Sequence, residues 1–340
     1  MQVACVLGAK KYGGAENFAI RLIKALADRG VSVLACLSRR SSYCSDLKGY
    51  PGVTLKTYAF GAWWDFCTSR RLRVDLQAFN PAYVLSFMSR AAWHVPVIQG
   101  IPHIGRLGGY YDLAYFKTCD GFIGITPDLC DYIARHTNRP VQWISNFATD
   151  YADIAKNRVI PRRPKNLLAL GRYHENKAFD TLIKAVAKVP DLALTLVGDG
   201  PEREKLESLA QTHGCQHRVT FTGWMKDITQ PLKQADLFIV PSRHEPLGSV
   251  TMEAWSAKLP VIAADTMGPA SVITPNKDGI FFPIDDIAAL TDILNGCVRG
   301  DYDLQMLAEE GRKTFERNHS ADVIVKQYID LIRAPLGRKV

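Results

Sequence analysis

LFIVPSRHEPLGSVTMEA, Leu237 to Ala254, is the stretch from which the rest of the chain is best read. LFIV has the length and composition of a strand buried on both faces. Pro241 ends it, and Pro-Ser-Arg-His-Glu-Pro continues neither as strand nor as helix, so the chain turns there. Helical spacing resumes with Val250, Ala254 and Ala257 behind Gly248 and Ser249. A helix opened at Gly248 offers backbone N–H groups with no partner inside the helix and a partial positive charge, and glycine lets a phosphate come close. Glu245 lies in the loop above that end. Glu253 lies inside the helix, about 7.5 Å further along at roughly 1.5 Å per residue, with its side chain leaning back toward the N-terminus. The arrangement suits a ligand with a phosphate between two hydroxyl-bearing groups.

The alternation of strand and helix extends in both directions from this point. Before it come NLLAL at Asn166, a helix over Phe179–Lys188, LALTLVG at Leu192, a helix over Glu202–Thr212, VTFTG at Val219 and a helix near Thr229–Ala235. After it comes LPVIAA at Leu259. The first half repeats the rhythm with VACVL at Val3, a helix over Ala15–Ala27, VSVLACL at Val31, a helix over Arg70–Phe79 and YVLSF at Tyr83. HIGRL at His103, GFIGI at Gly121 and VQWI at Val141 follow, with helices expected over Tyr110–Cys119 and Pro127–His136. Strands alternating with helices imply parallel sheet covered on both faces. The polar stretch Tyr151–Lys165, with Pro161 and Pro164, breaks the rhythm and reads as an interdomain linker.

The chain has 340 residues, a length suited to two domains. Apolar residues make up 47% and charged residues 22%, the balance of a soluble globular protein. No apolar run is long enough to span a bilayer, and the N-terminus reads as a strand entering a loop and not as a leader, so a cytoplasmic location is expected. Eight cysteines without a C-x-x-C pair point to reduced thiols, not to bridges or zinc. The charge of +8 is unevenly shared: residues 1–150 carry 17 Lys and Arg against 10 Asp and Glu. The first half is therefore expected to face an anionic surface or substrate, and no nucleic-acid motif accompanies it. The segment AWWDFCTSRRLR from Ala62 is either a membrane-interface contact through Trp63, Trp64, Phe66, Arg70, Arg71 and Arg73, or a packed loop leading into an amphipathic helix.

Glutamates eight apart around E-P-L-G resemble the donor-site motif of the family 4 glycosyltransferases. LGRYHENKAFDTLIKA from Leu170, LVGDGPEREKL from Leu196 and VTFTGW from Val219 extend the similarity over most of Lys165 to Arg317, while the first half is similar only in organisation and in short segments such as GGAE at Gly13 to Glu16. The resemblance implies the GT-B fold, an α/β architecture of two doubly wound Rossmann-like domains facing each other across a cleft. It divides the chain into an acceptor-side domain over 1–155, a nucleotide-sugar-binding domain over 156–320, and a final helix over 321–340 that crosses back to the first. It also implies a retaining, nucleotide-sugar-dependent, hexosyl-type glycosyltransferase with a hydroxyl acceptor, such as a lipopolysaccharide core or lipid-linked saccharide. Such a protein would work at the inner face of the membrane. A nucleotide-sugar epimerase of the same fold and a non-catalytic nucleotide-sugar-binding protein are the alternatives.

On this resemblance Arg172 and Lys177 grip the two phosphates, and with Glu245 they form the catalytic set. Glu245 and the backbone of Leu247, Gly248, Ser249 and Val250 hold the sugar and phosphate, and Glu253 takes ribose hydroxyls. Gly171 and Gly198 line the nucleotide, the base lies near Trp224 and Met225, and Gly13 and Gly14 approach a phosphate from the first domain. No cofactor or metal is expected, because two cations and a helix end supply the charge. Asp301 and Asp303 read as helix-start residues, not as a metal pair. The family's first-domain histidine has no counterpart, since Gly108 stands in RLGGYYD. Arg90, Arg106, Tyr110 and Tyr111 are the acceptor-side candidates. His103 is structural if HIGRL is the strand, and a candidate in the site if VPVIQ from Val95 is the strand instead.

Overall fold

Apolar runs of four to six residues form the interior of two parallel sheets in a computed structural model that describes residues 1–9, 13–61, 65–245, 247–334 and 336. The chain divides into two units, Met1–Asn146 with Ala321–Val340, and Phe147–Ser320.

The first unit holds seven strands: β1 Gln2–Leu7, β2 Ser32–Ser38, β3 Val53–Tyr58, β4 Val84–Phe87, β5 His103–Leu107, β6 Gly121–Gly124 and β7 Val141–Trp143. They are parallel in the order β3-β2-β1-β4-β5-β6-β7. β1 lies at the centre, and its residues Val3 to Leu7 are fully buried, as a central parallel strand requires. The last helix, Ala321–Arg333, belongs to this unit and buries Ile324, Val325, Tyr328 and Leu331 on one face. The Tyr83 hydroxyl, buried in β4's approach, donates to the Tyr328 carbonyl at 2.9 Å.

The second unit holds β8 Asn166–Leu170, β9 Ala193–Val197, β10 Val219–Phe221, β11 Leu237–Val240, β12 Val261–Ala264 and β13 Ile280–Phe282. The order is β10-β9-β8-β11-β12-β13, again all parallel. The sheet grows one way from β8 and then the other way from β11. At such a reversal the loops leaving the two strands' carboxyl ends part and open a crevice. In the first unit the same reversal lies between β1 and β4.

Several segments differ from the sequence reading. β3 escapes it because VTLKTY, on a sheet edge, is half-buried or exposed at every position before Tyr58, Lys56 being exposed, and lacks an apolar run. β13 escapes it because it is a three-residue edge strand. The helix expected over Tyr110–Cys119 is a single 3-10 turn, Leu113–Phe116. Only Phe116 is buried there, and the Asp120 carboxylate takes the His103 N–H at 2.8 Å, which turns the chain straight into β6. Val95–Gln99 forms no strand, so HIGRL is the fifth strand.

Candidate functional site

The loops beyond β8 and β11 flank the reversal in the second sheet, and they carry the residues that the sequence singled out. Gly171 leaves β8. Lys177 stands at the end of a short 3-10 turn, Glu175–Lys177, and its stem lies over Gly171, with Cε 3.1 Å from where a β-carbon would sit. From the other loop, Glu245 meets it: the Lys177 ammonium donates to Glu245 Oε2, and the Ser242 hydroxyl lies 3.4 Å from the same oxygen. Both side chains of the pair are largely withdrawn from solvent, 21% and 12% exposed, so the charges interact more strongly than a surface pair would. Arg172, next to Gly171 in the chain, is exposed, and no carboxylate among the described residues pairs with it.

Gly248 closes the β11 loop at φ +69°, a left-handed conformation that favours glycine, and caps the helix Ser249–Ser256. Leu247 and Gly248 are buried, whereas Ser249, Val250 and Glu253 are half-buried. Glu253 stands one turn inside this helix, beyond the first-turn N–H groups that follow Gly248. The turn Met267–Ala270 after β12 backs the loop: a β-carbon on Gly268 would lie 2.2 Å from the Glu245 carbonyl oxygen.

Beyond β9, Gly198 adopts φ +145° and approaches β8 so closely that a β-carbon would sit 1.8 Å from the Gly171 oxygen. Its N–H donates to the Gly223 carbonyl at 3.0 Å, which draws the loop after β10 alongside. Trp224 follows, 74% exposed, so it is no core aromatic, and Met225 beside it is half-buried. Gly171, Gly198, Trp224 and Met225 thus follow three adjacent strands, β8, β9 and β10.

Arg243 is a residue the sequence reading passed over. It stands two positions before Glu245 and bonds to Asp180, Asp285 and the Glu175 carbonyl, on both sides of Lys177. The only signal in the sequence was its place inside the quoted stretch, because its acidic partners are distant in the chain.

In the first unit, the loops at the reversal carry Gly13 and Arg90. Gly13 caps the helix Gly14–Ala27, and its N–H lies 3.4 Å from the Tyr43 hydroxyl, which itself donates to Asn17 at 2.7 Å. The Glu16 carboxylate folds back against Gly13, while Gly14 faces open space. Arg90 is exposed at the start of the helix Met88–His94, its stem against Gly8 after β1. Arg106 is a correction. It is 2% exposed, bonded to the Tyr328 hydroxyl at 2.9 Å and to Asn146, with its guanidinium 4.1 Å from the Phe18 ring centroid, and so serves the packing of the last helix. Tyr110 remains exposed, its hydroxyl on Asp128 and its ring edge-on to Tyr132. Tyr111 is half-buried, tilted against Phe116. His103 is buried at the start of β5, away from the carboxyl ends, between the Ser86 hydroxyl at 2.7 Å and the Thr118 hydroxyl at 3.1 Å. Burial pushes its pKa down to about 3, so the ring is neutral and structural.

Among the described residues no group of three or more His, Cys, Asp and Glu side chains could hold a metal ion. Asp303 caps the helix Leu304–Asn318 by accepting the Met306 N–H at 2.9 Å, and Asp301 pairs with Arg299. All eight cysteines are free thiols. Among the described residues no helix is long and apolar enough to cross a membrane. Trp63 and Trp64 lie outside the described residues. The helix that follows, Phe66–Phe79, buries Thr68, Leu72 and Leu76 and leaves Phe66 72% exposed among Arg70, Arg71 and Arg73.

Residues 150–314, the span that contains Gly171, Arg172, Lys177, Gly198, Trp224, Glu245, Gly248 and Glu253, match the family described as glycosyl transferases group 1. Two curated proteins of Rhizobium meliloti (strain 1021) align over nearly the whole chain. The lipopolysaccharide core biosynthesis glycosyltransferase LpsE is 30% identical over 95% of this chain and 96% of its own length. LpsD, which bears the same description, is 32% identical over 96% and 97%. Among solved structures, Anabaena HepE in complex with UDP and glucose superposes with a TM-score of 0.78 at 20% identity, covering 98% of this chain and all of that one.

Proposed function

The chain belongs to the group 1 glycosyltransferases, with the GT-B fold, and from that premise we propose that it is a retaining, hexosyl-type enzyme that takes its sugar from a nucleoside diphosphate and delivers it to a saccharide of the lipopolysaccharide core. The observation that carries the donor half is the meeting of Lys177 and Glu245 from the two loops at the β8/β11 reversal, loops that also bear Arg172 and the Gly248 helix start. Breaking the bond between the anomeric carbon and the diphosphate builds negative charge on the leaving group. Two cations and a helix N-terminus aimed at that charge stabilise it without reorganising. Glu245 then accepts hydrogen bonds from sugar hydroxyls and Glu253 from the ribose, while Trp224 offers a flat apolar face to the base. Retention follows if the acceptor oxygen bonds to the anomeric carbon on the face the diphosphate leaves, with the acceptor proton passing to the departing phosphate oxygen. That route asks for no enzymic base, in keeping with Gly108 where a histidine was expected. Charge stabilisation by Arg172 and Lys177 also makes a metal ion unnecessary in this reading.

The acceptor half rests on the two Rhizobium relatives, both described as lipopolysaccharide core enzymes, and on the basic first unit. A cytoplasmic protein that touches an anionic bilayer from one side suits this acceptor. The helix Phe66–Phe79 supports that contact with exposed Phe66 and Val74 among three arginines, beside a groove of about 750 Å³ that Lys48, Lys56, Arg70 and Arg71 line. A thermal-shift screen against UDP, GDP, ADP and their sugars tests the donor half, since a ligand at about 100 times its Kd adds roughly 2.7 kcal/mol to the folded state. The true donor raises Tm for the native protein and turns over, and Lys177→Ala lowers that turnover by about 10²–10³. Full turnover in Lys177→Ala would remove the proposed donor site.

A further inference from the structure

Lys177 and Glu245 are borne by separate loops, and something other than the chain between them must set their distance. Arg243 is placed to do so. Its backbone N–H donates to the Asn176 carbonyl at 2.8 Å, and that of His244 to the same oxygen at 3.3 Å. Its side chain then spreads across the segment around Lys177. Nη1 donates to the Glu175 carbonyl at 2.7 Å, and Nη2 to Asp180 at 2.9 Å with Thr181 Oγ1 3.4 Å away. Nε donates to Asp285 at 2.7 Å, and the Thr181 hydroxyl reaches the other Asp285 oxygen at 2.9 Å. The positions just before Lys177 and those soon after it are therefore tied to one guanidinium, which sits two residues before Glu245.

We propose that Arg243 is a positioning residue that holds the Lys177 loop in register with the Glu245 loop, so that ammonium and carboxylate confront the donor together; this rests on the donor-site reading above. Arginine is suited to the task because its planar fork points at three acceptors at once, whereas a lysine ammonium reaches one or two of them from a flexible stem. The network is partly exposed, with the Arg243 side chain 26% accessible, so its contribution to global stability is modest while its effect on loop geometry is direct.

The test uses Arg243→Gln and Arg243→Lys in the full chain. Lysines are reductively methylated with ¹³C, and Lys177→Arg assigns the Lys177 signal. In the ligand-free protein Arg243→Gln should move the Lys177 resonance toward the position it takes in Glu245→Gln, and Arg243→Lys should restore part of the shift. With UDP-glucose as the first donor tried, and the GDP and ADP sugars after it, kcat should fall by about 10-fold to 100-fold in Arg243→Gln, more than KM rises. In a Lys177→Ala background the same change should add less than about 2-fold, since it acts through Lys177. An unmoved Lys177 resonance, or losses that multiply in the double variant, would overturn the proposal. If the resonance moves while Lys177→Ala keeps full turnover, the loop lock stands and the donor reading falls.

Discussion

Gly268→Ala isolates the geometry of the Glu245 loop from its chemistry. Gly268 lies in the turn Met267–Ala270, touches no proposed donor contact through a side chain, and has a backbone conformation open to alanine. An added β-carbon would lie 2.2 Å from the Glu245 carbonyl oxygen, 2.7 Å from Leu247 N and 2.8 Å from Gly248 N. All three atoms are backbone of one loop, so no flexible side chain can yield. Ordinary contact begins near 3.4 Å, so the loop or the turn must retreat by about 1 Å, a displacement of the size that costs about 10²-fold in rate when it separates catalytic groups. Overpacking of this kind costs roughly 1–3 kcal/mol of stability. The assay is kcat with the donor found by the thermal-shift screen, alongside the melting curve. Gly109→Ala serves as control, because its added methyl meets nothing within 4 Å. A folded Gly268→Ala protein with kcat within 3-fold of the native enzyme would show that the position of the Glu245 loop does not govern turnover.

Trp224→Ala should weaken nucleotide binding by roughly 1–3 kcal/mol, as loss of a stacking face does, with an unchanged Tm because the ring is exposed; calorimetry with the cognate nucleoside diphosphate measures it, and unaltered affinity places the base elsewhere. Chelation with EDTA should leave turnover intact if Arg172 and Lys177 supply the charge, and a loss restored by Mg²⁺ or Mn²⁺ would show that they do not. Acid should destabilise both units. Burial lowers the pKa of His103 to about 3 and of His319 to about 4, from 6.5, so the unfolded chain binds the extra protons. This stability is complete above pH 6.5 and is lost as pH falls toward those folded values, about 2 kcal/mol from each histidine at pH 5. Melting curves from pH 7.5 to 4.5 check it, and His319→Phe, which keeps a ring over Trp255, should blunt the fall for the second unit.

The residues that form the candidate site were legible where local chemistry forces local structure. LFIV followed by Pro241 has to be a strand that stops, and Gly248 at positive φ ahead of Ser249 has to open a helix, whatever lies around them. Gly198 was legible only through the family resemblance, because what bars a β-carbon there is Gly171, 27 positions away. Arg106 shows the opposite case. Its place at the end of a strand in an arginine-rich half suggests a ligand contact, yet it is spent on Tyr328, Asn146 and Phe18, residues of three distant segments that no local pattern connects to it.

From the sequence alone came the alternating α/β order of strand and helix and the strand-end placement of Gly171, Lys177, Glu245 and Gly248, because periodicity, proline and glycine act over a few residues. Tertiary structure alone decided which loops flank the reversals in strand order, that Lys177 meets Glu245, and that Arg243 ties the two loops together. Those contacts join residues more than sixty positions apart, and a short-range pattern carries no information about pairs brought together only when the sheet closes.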